Sequence, residues 1–263
     1  MKRIIAILVA VLLCVTLCGS AFADDSWTIF VYLCGADLES EGSLATDNMQ
    51  EIIAASAASP NVRFVVQTGG AAEWHNGASA NELDRFEVAG GASTIVDRQP
   101  LANMGDSATL AEFLRWGLAA YPSAHTGLVF WDHGSGSING VCFDELSDND
   151  SLSLRDIDNA LSGVQGALPG GFDFIGFDAC LMGTIESASM LAPYAKYMIG
   201  SQEVEPGSGW DYAVIGSCLA ADPSADMVTL GKAICDGFYQ MCVENECGNS
   251  STLALTDLSK IEA

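Results

Sequence analysis

The chain has 263 residues and carries 34 Asp+Glu against 10 Lys+Arg, a formal charge of −24. That length holds one large domain or two small ones. Such an excess of negative charge excludes nucleic acid and anionic membranes as partners, because neither could release counterions onto it. Basic peptides and cations are attracted, and the acidity also serves solubility.

The opening MKRIIAILVAVLLCVTLCGSAFA has a positive start at Lys2 and Arg3 and an apolar run from Ile4 to Leu17. A small-x-small site follows at Ala21-Phe22-Ala23. This is the layout of a secretory signal peptide over residues 1–23, with an apolar run too short for an ordinary membrane span. Leu17 stands before Cys18, where a lipoprotein would carry a small residue. Residues 24–263 then form the expected domain, with 8 Lys+Arg against 34 Asp+Glu and a charge of −26. No long apolar segment follows, so no membrane span is expected after signal removal, and the product is secreted or held at the cell surface.

Trp27 to Cys34 (WTIFVYLC) is a dense β-type run, and Asp47 to Ala58 has helical spacing with Met49, Ile52 and Ile53 on its apolar face. Val62 to Thr68 is a second strand. Glu82 to Val88 and Ser93 to Val96 flank Gly90-Gly91 as a hairpin. Ser107 to Ala120 is a helix with Ser107 as its expected N-cap. Gly127 to Asp132 (GLVFWD) is a third core strand, and Ser153 caps a short helix to Leu161. Phe172 to Phe177 (FDFIGF) is a fourth core strand, with a helix expected immediately after it from Leu181 to Leu191. Tyr197 to Ser201, a long helix from Ala225 to Val243 and Thr252 to Thr256 (TLALT) complete the pattern. The polar stretch Glu145 to Ser151 is expected to be a flexible loop. Leu258-Ser259-Lys260 opens a further helix just before the sequence stops, so the domain is expected to continue past Ala263. Strands alternating with helices imply an α/β fold with a mostly parallel central sheet and helices on both faces. In such sheets function gathers at the carboxyl ends of the strands.

Two strand exits carry chemistry. GLVFWD runs into His133-Gly134-Ser135-Gly136, and FDFIGF runs into Asp178-Ala179-Cys180. In a parallel sheet both exits lie on one edge, so imidazole and thiol can meet. An adjacent imidazole can deprotonate a thiol and make it a strong nucleophile, and the helix expected right after Cys180 would favour the thiolate through its dipole. Gly134 lacks a side chain, so its N–H can approach a substrate carbonyl; with the Cys180 N–H it would form an oxyanion hole. His75 and His125 lack such a setting and are read as surface or loop residues. Asp37, Asp132, Asp144 and Glu203 can equally be structural and are given no catalytic role. Seven cysteines in residues 24–263, an odd number, are too few for a disulfide scaffold, and no CxxC pair marks a structural zinc site.

The two strand-exit motifs resemble those of the caspase-like peptidase clan. The segments WTIFVYLCGADLES, Asp47-Asn48-Met49, WDHGSG, LSLRDI, FDACLMGTIE and GSQEVEPGSGWDY are similar to the clostripain family, in order, across residues 26 to 263. The resemblance implies a caspase-like fold and thiol-dependent cleavage of peptide bonds by a His133–Cys180 dyad, with no third residue strictly needed. It also implies preference for Arg or Lys before the scissile bond. A pocket for such a residue needs a carboxylate. Asp178 matches that position, with Asp211 as a second candidate and Trp210 as a wall.

Family members are often made as zymogens that cut themselves between the His and Cys segments. Here the one basic residue in that interval is Arg155, inside an expected helix, so self-cleavage there is not expected. No cofactor is required for the chemistry. Some relatives depend on calcium; the acidic composition permits this, although no EF-hand loop locates a site. Two rival readings keep the fold: an exported binding or surface protein without catalysis, and a Cys-dependent transpeptidase.

Overall fold

The computed structural model describes residues 26–248 and 252–261; the signal-peptide reading of residues 1–23 lies outside them. Strand β1 (Trp27–Cys34) is buried along its whole length, as a strand covered on both faces must be, which explains its unbroken apolar run. It pairs in parallel with β2 (Val62–Gly69) on one side and β5 (His125–Trp131) on the other. Next to β5 lies β8 (Phe172–Asp178), and next to β8 lies β9 (Ala195–Gly200), both parallel. Antiparallel strands close the two edges: β3 (Glu82–Ala89) and β4 (Ala92–Pro100) beyond β2, and β10 (Ala254–Asp257) beyond β9. The order is β10-β9-β8-β5-β1-β2-β3-β4. Gly90 and Gly91 join β3 to β4 with φ of +58° and +79°, the left-handed pair that a two-residue hairpin turn demands.

Alternation along the strands divides the core in two. On one face Phe30, Tyr32, Phe130 and Phe177 pack with helices α3 (Ser107–Ala120), α5 (Leu154–Val164) and α6 (Ile185–Leu191). On the other, Ile29, Val31, Val129 and Phe174 pack with α2 (Leu44–Ala58), α7 (Ala213–Ala221) and α8 (Met227–Glu244). Two short helices, α1 (Ala36–Ser40) and α4 (Gly136–Asn139), sit at the exits of β1 and β5. This is the mostly parallel α/β architecture expected from the sequence.

Several boundaries differ from expectation for local reasons. The cap of α3 is Asp106, whose side chain accepts from the Ala108 N–H, with Ser107 already helical. The segment expected to be a flexible loop belongs to a hairpin, β6 (Val141–Asp144) and β7 (Asp150–Leu152), turned through Asp148 and Asn149 in left-handed conformation. The helix expected from Leu181 begins only at Ile185, capped by Thr184. Cys180 therefore sits in a tight turn, with Leu181 at φ 64°, rather than at a helix N-terminus, and the dipole argument for its thiolate does not hold.

Candidate active site

The exits of β5 and β8 place His133 and Cys180 around one hollow. Asp132, just past β5, and Asp178, the last residue of β8, are tied by the Asp132 N–H to the Asp178 carbonyl at 3.3 Å. Beyond them the backbones of Gly134 and Cys180 press together; a Cβ on Gly134 would fall inside the shell of the Cys180 carbonyl oxygen, so glycine is required there. The bridge from this segment to β6 uses the His133 carbonyl and the Ser135 N–H. That strand-like alternation turns the Gly134 N–H the other way. Asp132 is buried, accepts from the Phe143 N–H at 2.5 Å and so clamps the hairpin against β5; burial pushes its carboxyl well above the usual range.

The turn after Cys180 is held by the segment that follows β9. Leu181 N–H donates to the Glu203 carbonyl at 3.0 Å, and Gly183 N–H to the Ser201 carbonyl at 2.7 Å. The Cys180 thiol is half-buried, with the Glu205 N–H donating to its sulfur at 3.3 Å. His133 meets Asp37 of α1, Nε2 to Oδ1, at 2.7 Å.

Below the thiol and imidazole lies a hollow of about 240 Å³ walled by Leu38, Trp131, Ala179 and Pro206. Asp178 lines its floor, buried, accepting from the Trp210 N–H at 3.1 Å and the Tyr212 hydroxyl at 2.9 Å. Glu205 lies against it, its two carboxylate oxygens buried with no other donor than a proton shared with Asp178. Burial pushes Asp178 up to about 7 despite those donors, and burial together with the Asp178 charge pushes Glu205 well above the usual range. Neither the Asp211 side chain nor the Trp210 ring reaches the hollow. Asp211 caps the start of α7 through the Ala213 N–H at 3.0 Å. The Trp210 ring is buried in the core, where it lies over Gly176 of β8; its contribution to the site is the backbone N–H that holds Asp178. Asn48 fixes this loop, accepting from the Trp131 indole at 2.8 Å and donating to the Ser208 carbonyl at 3.1 Å.

Glu205 went unnoticed in the sequence because nothing in GSQEVEPG singles it out; only the fold brings it beside Asp178. The raised pair has a consequence for stability. Both groups hold a proton in the folded protein at pH values where the unfolded chain has lost it. Their contribution is fully present below about pH 4 and is lost as pH rises, for Asp178 through about 7. Glu205→Gln, which removes the forced charge, therefore raises Tm at pH 8 by about 2 °C or more and changes it little at pH 5. Thermal unfolding at the two pH values checks this; an equal Tm change at both would refute it.

The mostly parallel sheet with helices on both faces is a caspase-like fold, and it brings a thiol and an imidazole to one acidic hollow. The chain belongs to the clostripain family of peptidases, whose family model matches residues 31–263. It is 27% identical over 242 residues to clostripain of Hathewaya histolytica, covering 76% of this chain but 44% of that protein; the chain thus spans less than half of that relative. A secreted cysteine protease of Bacteroides thetaiotaomicron, solved with an irreversible peptide inhibitor, superposes with a TM-score of 0.70 at 21% identity, covering 90% of this chain and 67% of that one. An inactive protease zymogen of Parabacteroides distasonis superposes at 0.66 with 24% identity, covering 92% and 64%. Among the described residues no helix is long and apolar enough to cross a membrane, and no group of three or more His, Cys, Asp or Glu side chains is placed to hold a metal ion.

Proposed function

We propose that this chain is an exported cysteine endopeptidase that cleaves peptide bonds after Arg or Lys. The observation that carries this reading is the floor of the hollow, where two buried carboxyl groups lie side by side and Glu205 has no partner beyond a proton shared with Asp178. A buried unpaired charge is costly, so the pocket is complementary to a cation on an apolar stem. An Arg or Lys side chain has that shape: its methylenes pass Leu38 and Trp131, and its head group meets Asp178 and Glu205. Specificity thus rests on a pair of carboxylates, with Asp178 fixed by Trp210 and Tyr212 and Glu205 facing it.

With the side chain so held, the scissile carbonyl lies over Cys180. His133 takes the thiol proton, and the sulfur attacks the carbonyl carbon. The Gly134 and Cys180 N–H groups receive the oxyanion that forms. The imidazolium then returns the proton to the leaving amine as the C–N bond breaks, leaving a thioester. Water, deprotonated by His133, attacks that thioester and releases the acid and the thiol. None of these steps calls on a cofactor. The signal-like residues 1–23 support export, and the acidic surface would draw cationic peptides inward.

Fluorogenic peptides bearing Arg, Lys, Asp or Asn before the scissile bond, assayed on residues 24–263, test the reading. Arg and Lys peptides are expected to be cut at least about tenfold faster than the others. Faster cleavage of neutral or acidic peptides would remove the basic specificity.

A further inference from the structure

We infer that Asp37 is a positioning residue for His133, completing a Cys180–His133–Asp37 row laid out by three neighbouring strands. This rests on the Cys180–His133 reading above. Strands β8, β5 and β1 are consecutive in the sheet and parallel. Their carboxyl ends carry the thiol, the imidazole and the carboxylate in that order. His133 Nε2 lies 2.7 Å from Asp37 Oδ1, the length of a charge-assisted hydrogen bond. With the Nε2 proton given to Asp37, the neutral ring keeps its lone pair on Nδ1, and that nitrogen is left to accept the Cys180 proton.

The corner that presents Asp37 is held firmly. Ala36, just before it, has φ 46°, a left-handed conformation that a non-glycine residue adopts only when its surroundings impose it. At Gly35 a Cβ would lie 2.8 Å from that of Ala71 and 2.9 Å from the Trp74 ring, and the Gly35 N–H donates to the Gly69 carbonyl at 2.9 Å. Two residues beyond Asp37, Glu39 is fully buried and accepts from the N–H groups of Thr46 at 2.9 Å and His75 at 2.8 Å. The short helix therefore uses one acid as an anchor and offers the other to His133.

An ordinary surface ion pair is the rival explanation, since the His133 and Asp37 side chains are 43% and 57% exposed. Such a pair adds little to stability. A positioning role predicts something different: an effect on turnover and on imidazole ionisation with hardly any effect on folding. Removing the carboxylate destabilises the imidazolium, so the acidic limb of the kcat/KM profile, below which the ring is protonated and cannot take the thiol proton, moves to lower pH. The other titratable groups around the ring are Asp132, with its carboxylate turned toward Phe143, Glu145 on the hairpin side, and Cys180, Asp178 and Glu205 at the hollow. They are common to every variant compared, so the difference reports Asp37.

The experiment compares wild type, Asp37→Asn and Asp37→Ala, with Cys180→Ala as reference, using a peptide that wild type cleaves and pH values from 5 to 10. Asp37→Ala is expected to lower kcat about 30-fold, less than for a fully buried orienting carboxylate, with KM nearly unchanged. Asp37→Asn keeps an acceptor for Nε2 and recovers much of kcat, while its acidic limb shifts as in the alanine variant. Tm stays within about 1 °C in both. Wild-type kcat in Asp37→Ala, or an unmoved acidic limb in both variants, overturns the inference. If Cys180→Ala is inert in that outcome, the dyad stands without Asp37; full activity in Cys180→Ala would instead remove the dyad itself.

Discussion

Replacing Cys180 by alanine is expected to eliminate peptide cleavage, and His133→Ala to lower kcat/KM by about 10⁴-fold or more, because nucleophile and base act as one unit. Cys34→Ala and Cys142→Ala should keep most activity. Cys34 and Cys142 are fully buried in the core beneath the site, and burial pushes both thiols well above the ordinary range. Neither supplies thiolate at neutral pH, and neither reaches the hollow. Cys180 is half-buried and lines it. Iodoacetamide should accordingly modify Cys180 ahead of those two, and the modified protein should be inactive. Retention of full activity by Cys180→Ala, with the substitution verified by mass, would sink the nucleophile assignment outright.

Much of the frame could be read from sequence because the central strands are covered on both faces. WTIFVYLC, GLVFWD and FDFIGF are mostly apolar and buried from end to end, and β1 starts and ends where its apolar run does. The less legible parts depend on tertiary contacts. Helix α7 carries no apolar stripe because it is wedged between α2 and α8, and Gly216 lets its backbone touch that of Ala55. The acidic stretch Glu145 to Ser151 looks unstructured by composition. It is ordered because Asp144, itself buried, receives the N–H groups of Met104 and Leu146, both at 2.8 Å. After Cys180 the residues LMGTIESASM have helical spacing, yet the close approach of Gly183 to Ser201 forces a turn that ends only at the Thr184 cap. Trp210 looks like a pocket wall by its neighbourhood in sequence; Gly176, within β8, makes room for it in the core instead. Asp37 and Glu205 are set by neighbouring strands and by a long connection, which no local pattern encodes.

Asp178→Asn is expected to lower kcat/KM for Arg peptides by about 30-fold or more, since the head group would lose a buried carboxylate partner worth about 2 kcal/mol at about 1.4 kcal/mol per decade. The substitution is close to isosteric. The amide that replaces the carboxylate keeps an oxygen for the Trp210 N–H, and the Tyr212 hydroxyl can rotate to accept from the amide nitrogen. The fold around the pocket should therefore survive, and the loss for a neutral residue before the scissile bond should be slight. Glu205→Gln should act more gently but with a signature of its own. A guanidinium can span two neighbouring carboxylates with its planar fork, whereas an ammonium is a point charge. Losing Glu205 should thus cost Arg peptides more than Lys peptides and lower the Arg-to-Lys preference. Proton linkage adds a further expectation. A cation entering the pocket favours the ionised carboxylates and expels a proton that the empty pocket retains near neutrality. KM for Arg peptides should therefore fall as pH rises through about 7, and that dependence should weaken in Glu205→Gln. Steady-state kinetics for Arg, Lys and norleucine peptides between pH 5.5 and 8.5 would measure all of this. Equal losses for Arg and norleucine peptides in Asp178→Asn would make Asp178 a support for the Trp210 loop and move the source of specificity elsewhere.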